Sequence, residues 1–188
     1  MSKGDYLTAI LKSPKTVFTS KDIALLWGEQ SSNSARVRLN YYVKNGDLHR
    51  IRRGLYTKDK NYNKIELATR IVSPSYVSFE TVLAKEGVIF QFYSQIFIAS
   101  YLTREITIDE QVYSFRQIKK HILTNPLGIE HRDEISIATK ERAFLDTLYS
   151  NTDYHFDNIG SLDWEKISEI LPIYQNSRMI KKIKELRP

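Results

Sequence analysis

Side chains that can carry positive charge are clustered at residues 49–53 of this sequence. His49, Arg50, Arg52 and Arg53 stand within five positions, directly before Gly54. Apolar residues on both sides have the spacing of a two-stranded hairpin, with Arg52-Arg53-Gly54 as its turn. A purely structural hairpin has no need of four such groups, which repel one another at its tip. The cluster therefore predicts a surface that contacts the phosphates, or enters the minor groove, of double-stranded DNA.

A second set of candidates lies on the helix predicted for residues 33–44. One side of this helix, at about 100° per residue, carries Ala35, Leu39, Tyr42 and Val43, which would pack inward. The other side and its flanks carry amide, hydroxyl, guanidinium and small apolar groups, which read base edges in a major groove. The candidate DNA-binding residues here are Ser32, Asn33, Ser34, Arg36, Val37, Arg38, Asn40, Tyr41 and Lys44. The alternative interpretation is an ordinary amphipathic helix with a solvated face.

Carboxylates in the rest of the chain are the candidates for catalysis. A metal-dependent nuclease needs two or three clustered acids, often with a lysine nearby. The nearest approximation to this pattern is Asp133-Glu134 with Lys140 and Glu141. A turn explains the first two residues better, and a charged helix explains the other two better. The other candidates are Glu80, Glu86, Asp109, Glu110, Asp146, His121, His131 and His155.

None of these residues forms a known catalytic signature. The sequence contains no HExxH, GxSxG, phosphate-loop or dinucleotide-binding motif. Glu141, Arg142 and Asp146 are instead expected to hold a helix against a sheet through buried polar contacts. The sequence thus predicts a protein that is not an enzyme, with no catalytic residue, no metal site and no cofactor.

Positive charge is concentrated at one end of the chain. Residues 1–70 carry fourteen Lys and Arg against six Asp and Glu, a net charge of +8, whereas residues 71–188 carry fourteen against sixteen. Such a basic block is typical of a surface that faces a polyanion. The absence of cysteine excludes disulfides and thiolate chemistry within the chain. Neither a secretory signal nor a membrane span is recognisable, so we expect a cytoplasmic protein without a membrane partner.

Short helices in a defined order must position the candidate residues. Residues 5–12 have helical apolar spacing, and a second helix begins after Thr19 or Ser20 and ends at Gly28. The candidate helix and the hairpin follow it. This is the order of a winged helix-turn-helix, in which the second helix of the motif lies in the major groove. We therefore predict such a domain over residues 1–70.

The remaining residues, 71–188, predict a mixed α+β domain, so the fold class of the chain is α+β. Runs of β-branched and aromatic residues indicate strands, and their spacing is too short for helical crossovers, so we expect a mostly antiparallel sheet. The expected strands are 95–101, 104–108, 111–118 and 134–138. The expected helices are 76–86 with Ser78 as N-cap, 140–149 after Thr139, 162–171 and 177–186.

Aromatic residues are abundant, with twelve tyrosines and eight phenylalanines. Core packing or a dimer interface explains them better than a stacking platform for single-stranded nucleic acid. The basic amphipathic stretch 178–187 can pack on the sheet, dimerise or contact phosphates. We expect a monomer or a weak homodimer.

Three blocks of the sequence resemble the AbiEi antitoxins of type IV toxin–antitoxin systems. The first, from TVFTSKDIALLWG to NYYVKNGDLHRIRRGLYTK, is similar to the N-terminal domain of that family. The second, PSYVSFETVL followed by Glu86-Gly87, looks like the P-S-Y-[VI]-S segment of the family. The third, ATKERAFLD at 138–146, looks like its A-x-x-E-[RK]-A-[FL]-x-D helix. The blocks stand in family order and together span residues 14–150.

The resemblance implies a bacterial or mobile-element repressor that binds inverted repeats in its own promoter. It also implies that the C-terminal domain counters a nucleotidyltransferase-like toxin without a stable complex, in abortive infection against phage. Two alternatives remain at this point. One is a stand-alone winged-helix regulator without a toxin partner, and the other is a metal-dependent nuclease that the winged domain targets to DNA.

Overall fold

The computed structural model describes residues 3–29, 32–132 and 134–187. The chain is a mixed α+β protein and divides into two compact units, Met1–Ile71 and Val72–Pro188. Within the described residues, no helix has both the length and the apolar character needed to span a membrane.

Helices and a small antiparallel sheet form the first unit. The elements in chain order are α1 (Lys3–Lys12), β1 (Val17–Thr19), α2 (Ser20–Leu26), α3 (Ser32–Asn45), β2 (His49–Arg52), β3 (Leu55–Thr57) and α4 (Lys64–Ile71). The strand order is β1-β3-β2, so β1 pairs with β3, the second strand of the hairpin. In this pair Phe18 lies opposite Tyr56. Neither β1 nor α4 was predicted from the sequence, because a three-residue strand and an eight-residue helix show little periodicity.

The start of α2 is fixed by a capping box. Thr19 accepts a hydrogen bond from the backbone N–H of Asp22, and the Asp22 carboxylate accepts one from the backbone N–H of Thr19. Each side chain thus satisfies a backbone group that the helix leaves without a partner. The helix ends before Gly28, whose φ of +64° favours glycine. Of the two N-cap residues predicted, Thr19 and Ser20, the structure has Thr19, and the predicted end of the helix at Gly28 is confirmed.

One hydrophobic core joins the three N-terminal helices to the sheet. The indole N–H of Trp27 donates to the carbonyl of Tyr6 at 2.8 Å and links α2 to α1. Because the core draws residues from α1, α2, α3, β1 and β3, and Leu48 just before β2, it fixes the inward face of α3. Its buried members are Ile10, Phe18, Ile23, Trp27, Ala35, Leu39, Tyr42, Leu48 and Tyr56.

The second unit is built on a six-stranded mixed sheet with strand order β6-β7-β5-β4-β9-β8. Its strands are β4 (Ser75–Val77), β5 (Ile96–Ser100), β6 (Arg104–Ile108), β7 (Gln111–Gln117), β8 (Ile129–Arg132) and β9 (Ile135–Ala138). Its α-helices are α5 (Glu80–Lys85), α6 (Lys120–Leu123), α7 (Lys140–Ser150), α8 (Trp164–Ile170) and α9 (Ser177–Leu186), with short 3-10 turns at Ile159–Ser161 and Leu171–Tyr174.

Parallel pairing in this sheet corrects one expectation. Three of the five strand pairs are antiparallel, but β5–β7 and β4–β9 are parallel. The short link after β5 carries the chain to the sheet edge, where it forms β6, and the β6–β7 hairpin then returns β7 between β6 and β5. Two strands can therefore run parallel without a helical crossover, so the predicted reason for an antiparallel sheet was wrong.

The segment predicted as one helix, residues 76–86, is a strand followed by a shorter helix. Ser78 is not an N-cap, and its hydroxyl donates to the buried Asp146 carboxylate at 2.7 Å. Phe79 occupies the N-cap position with φ +55° and makes no side-chain capping bond. A contact with a residue almost seventy positions away thus outweighs local helix propensity.

Candidate nucleic-acid interface

Helix α3 presents a polar face because its apolar residues repeat at helical spacing. Ala35, Leu39 and Tyr42 are buried, which leaves the other side of the helix in solvent. Val37 is 71% exposed and lies among polar neighbours, so it contributes nothing to the core. The residues exposed beside it are Asn33, Ser34, Arg36, Asn40, Tyr41 and Lys44. Helix α3 begins at Ser32, but the side chain of Ser32 lies outside the described part of the chain.

Arg38 differs from the other candidates on α3. Its guanidinium lies over the ring of Tyr6, 3.6 Å from the centroid, and it forms an ion pair with Glu29. A guanidinium that stacks on an aromatic ring and pairs with a carboxylate within its own unit stabilises the fold. Arg38 thus lies half-buried on the flank of the exposed face, as predicted, but its guanidinium is already engaged within the unit. Its predicted role in DNA binding stays a prediction.

The β2–β3 hairpin places its arginines by strand alternation. Arg50 and Arg52 are exposed on β2, whereas His49 and Ile51 are half-buried toward the other face. Arg53 is exposed in the turn, which Gly54 makes possible with φ +83°. His49 thus lies on the opposite face of the strand from the arginines with which it was grouped.

A groove of about 440 Å³ lies between α3, the hairpin and the start of α2. Its walls carry four cationic side chains, Lys21, Arg36, Arg50 and Arg53, together with the amides of Asn33 and Asn40. No acidic residue lines it within the described part of the chain. The N–H of Ser20 donates to the carbonyl of Gly54 at 3.1 Å, so the start of α2 is joined to the hairpin tip.

Ser20 and Lys21, which line the groove, were not predicted as members of this site. Both stand in the first turn of α2, the first helix of the predicted motif. In helix-turn-helix proteins that helix crosses the DNA backbone, so a lysine at its start was the available signal.

Three carboxylates of the first unit, those of Asp22, Glu29 and Glu66, have partners outside the groove lining. Glu29 pairs with Arg38, and Glu66 of α4 accepts hydrogen bonds from the backbone N–H groups of Thr16 and Val17. Burial tends to raise the pKa of Asp22, but hydrogen bonds from Thr19 and Lys15 and the charge of Arg70 outweigh it and lower that pKa. These acids therefore do not neutralise the groove.

The arginines of the groove have no acidic partner among the described residues. No ion pair there involves Arg36, Arg50 or Arg53, nor Arg52, which lies on β2 but does not line the groove. Cationic side chains that project from three rigid elements into one groove can bind a ligand with several negative charges at fixed spacing.

The candidate catalytic residues of the second unit are not brought together. Among the described residues, no three His, Cys, Asp or Glu side chains form a group that could hold a metal ion, and Asp133 lies outside those residues. Glu80 pairs with Arg116 at 2.8 Å, and Glu141 accepts a hydrogen bond from the backbone N–H of Asp163. The histidines are separate: His121 is exposed, His131 contacts Ser136, and His155 lies 3.9 Å from Asp157.

Asp146 is the centre of a buried polar network. Its carboxylate accepts hydrogen bonds from Tyr76 at 3.0 Å, Ser78 at 2.7 Å and Tyr174 at 2.6 Å, and from Nε of Arg142 at 3.3 Å. Burial raises the pKa of Tyr76 and that of Tyr174, and the adjacent Asp146 carboxylate raises both pKa values further. The two hydroxyl groups therefore remain protonated and act as hydrogen-bond donors. Burial also raises the pKa of Asp146, which Arg142 and the hydroxyl donors oppose.

This network contains residues from the second and third sequence blocks described above. Tyr76 and Ser78 belong to the second block, and Arg142 and Asp146 belong to the third. Because all four side chains are buried, their contacts stabilise the unit rather than provide a reactive surface. These four residues of the two blocks therefore belong to the core of the second unit.

Comparison with protein-family models gives no match for this chain, and comparison with the curated proteins gives no significant match either.

Proposed function

We propose that the first unit is a winged helix-turn-helix that binds double-stranded DNA in a sequence-specific manner. The observation that carries the proposal is the groove between α3, the start of α2 and the β2–β3 hairpin, which has four cationic side chains and no acidic residue in the described part of the chain. Helix α3 would lie in the major groove and the hairpin, as the wing, would contact the flanking backbone.

The chemistry of the side chains suggests that some residues of this surface contact bases and that others contact phosphates. Arg36 offers a bidentate donor to guanine, Asn40 offers an amide to adenine, and the exposed methyl groups of Val37 suit the thymine methyl. Lys21, Arg50, Arg52 and Arg53 would contact phosphates, which fixes the position of the protein without specifying sequence. Sequence preference should therefore depend on α3, and salt dependence mainly on the hairpin and on α2.

The experiment is a fluorescence-anisotropy titration with the DNA upstream of the gene's own start codon. A scrambled duplex of equal length serves as competitor, and the titration is repeated over a salt series. We expect tighter binding to the upstream DNA than to the scramble, with affinity that falls steeply as salt increases.

A matched pair of variants makes this test specific. The variant Arg50→Gln with Arg53→Gln removes two groove cations, whereas Lys12→Gln with Lys60→Gln removes two exposed cations that do not line the groove. The first should lose affinity and the second should not. Equal losses would mean that net charge alone attracts DNA, and no preference over the scramble would end the claim of sequence specificity.

We further propose that the protein represses its own operon and acts as the antitoxin of a nucleotidyltransferase-like toxin in a cytoplasmic type IV system. This part rests on the three sequence blocks that resemble AbiEi antitoxins. Co-expression with a neighbouring nucleotidyltransferase-like gene tests it, because the antitoxin should restore growth. If such a neighbour inhibits growth and the full chain does not restore it, the stand-alone regulator is the better account.

A further inference from the structure

Two phenylalanines of the second unit project into solvent from the segment between α5 and β5. Phe90 is 74% exposed and Phe92 is 87% exposed. Large aromatic side chains contribute most to stability when buried, and adjacent exposed ones are typical of interaction surfaces. The packing of the unit therefore does not explain their position.

Hydrogen bonds anchor the segment at both ends. Before Phe92, the N–H of Phe90 donates to the Asp157 carboxylate at 2.8 Å, and the carbonyl of Val88 accepts from the N–H groups of Asp157 and Asn158. After it, the side-chain amide of Gln111 donates to the carbonyl of Ser94 at 2.7 Å. The aromatic rings are thus presented by backbone that is already ordered, which lowers the entropy cost of binding a partner.

An acidic cleft of about 400 Å³ lies beside this segment, against residues 151–157. Asp153 and Asp157 line it together with Phe90, Tyr93 and His155, and no lysine or arginine of the described residues lines it. The Asp153 carboxylate has no hydrogen-bond or ion-pair partner within the described residues. Aromatic faces next to carboxylates are the groups that bind ammonium and guanidinium ions, so the cleft suits a cationic partner.

Helix α9 presents the complementary surface. Met179 and Ile183 are buried and attach it to the unit, while Ile180 stays 39% exposed. Residues 177–187 carry five basic residues and one acidic residue, whereas residues 72–176 carry nine basic and fifteen acidic residues, a net charge of −6. None of the basic residues of α9 forms an ion pair within the described part of the chain. The helix therefore offers an apolar side chain surrounded by unneutralised cations.

We infer that the acidic aromatic cleft of one copy of this chain binds helix α9 of a second copy. The exposed apolar Ile180 would contact Phe90 and Phe92, and the lysines around it would pair with Asp153 and Asp157. Each chain carries one cleft and one basic helix, so a two-fold arrangement satisfies both pairs at once and closes as a dimer. The inference concerns the second unit and does not depend on the proposed function.

Sedimentation equilibrium of the full chain without DNA tests this inference. We expect a monomer–dimer equilibrium at about 0.05 M salt that shifts toward monomer at about 0.5 M, because the paired charges are exposed at the rim. A monomer at every concentration up to about 100 µM would overturn the inference. Growth of the mass beyond that of a dimer would overturn the closed two-fold arrangement.

Variants identify the two surfaces. Phe92→Ser and Lys181→Glu should each weaken association by about tenfold, and circular dichroism checks their folding. The controls are Tyr101→Ser, which removes an exposed aromatic residue outside the cleft, and Lys119→Glu, which reverses an exposed charge outside α9. If the controls weaken association as much as the test variants, the cleft and α9 are not the surfaces involved.

Charge reversal tests the pairing directly. Asp153→Lys alone should also weaken association, whereas Asp153→Lys combined with Lys181→Glu in one chain should recover part of it, because opposite charges again face each other in the dimer. Additive weakening in the double variant would overturn the pairing of cleft with helix. DNA affinity is measured separately on a duplex with a single site, so failure of either proposal can be distinguished from failure of the other.

Discussion

Arginine has opposite roles in the two units of this protein. In the first unit, Arg36 and Arg53 line a groove and have no acidic partner within the described residues. In the second unit, Arg142 is fully buried. Its guanidinium donates to the carbonyls of Ile122 and Leu127, each at 2.7 Å, and to Tyr76 and Asp146 at 3.0 and 3.3 Å.

The difference lies in the partners that the fold supplies and not in the residue type. A buried guanidinium is tolerated only when its donors are satisfied, because removing a charge from water is costly. An exposed guanidinium without a partner keeps its donors for a ligand. In the first unit no acidic residue of the described part of the chain lines the groove, so the groove keeps its charge.

The largest effect is expected from Arg142→Met. The substitution leaves the Asp146 carboxylate buried without its cation, which should lower the free energy of unfolding of the second unit by about 3–5 kcal/mol. Urea denaturation followed by tryptophan fluorescence measures it, since Trp164 reports on this unit and Trp27 on the first.

Arg132→Met is the matched control for this prediction. Arg132 pairs with Glu130 in the same unit, but its side chain is 72% exposed. An exposed pair contributes at most about 1 kcal/mol. Equal losses of unfolding free energy in the two variants would mean that burial does not determine how much the Arg142–Asp146 pair stabilises the unit.

A smaller effect, on DNA affinity, is expected from Arg36→Ala. Loss of a bidentate contact to guanine should weaken specific binding by about 1–3 kcal/mol and relax the sequence preference. Anisotropy titration against the upstream DNA and against single-base variants of it gives both quantities.

Arg38→Ala tests whether exposure or sequence position decides the role of an arginine on α3. Arg38 is only two residues from Arg36, but it stacks on Tyr6 and pairs with Glu29. The variant should lower the stability of the first unit and leave the DNA affinity of the folded protein nearly unchanged. A loss of affinity as large as that of Arg36→Ala would contradict this division.

Local periodicity was sufficient to predict the candidate interface. The spacing of Ala35, Leu39 and Tyr42 identified the inward face of α3, and the polar residues between them were therefore expected in solvent. The turn at Gly54 likewise identified the hairpin. These features depend on residues within a few positions of one another, so sequence alone contains them.

Contacts between distant residues could not be predicted in the same way. Arg38 is held by Tyr6, which lies on another helix, and Ser78 is drawn out of a helix by Asp146, which is almost seventy residues later. The parallel pairing of β5 with β7 depends on β6 lying at the sheet edge. In each case the deciding partner is set by the tertiary fold, which local propensity does not contain.

Asp22→Asn should have an intermediate effect, and one that depends on pH. The variant loses the charge that Thr19, Lys15 and Arg70 stabilise, so the first unit should lose about 1 kcal/mol of unfolding free energy at neutral pH. Because the pKa of Asp22 is lower in the folded state than in the unfolded state, its contribution is present above the unfolded pKa of about 4 and is lost as pH falls through the folded pKa. Urea denaturation at several pH values should show the two proteins converging in acid, and a constant difference would contradict this.

The smallest effect is expected from Arg52→Ala, and it should appear in the salt dependence of binding. Arg52 is exposed on β2 and has no ion-pair partner within the described residues, which suits a contact with one phosphate. Its loss should reduce the slope of log affinity against log salt by about one unit and weaken upstream and scrambled DNA alike. Arg36→Ala should instead weaken mainly the upstream DNA. If Arg52→Ala leaves the slope unchanged but abolishes the preference for upstream DNA, then Arg52 reads bases and the hairpin contributes to specificity.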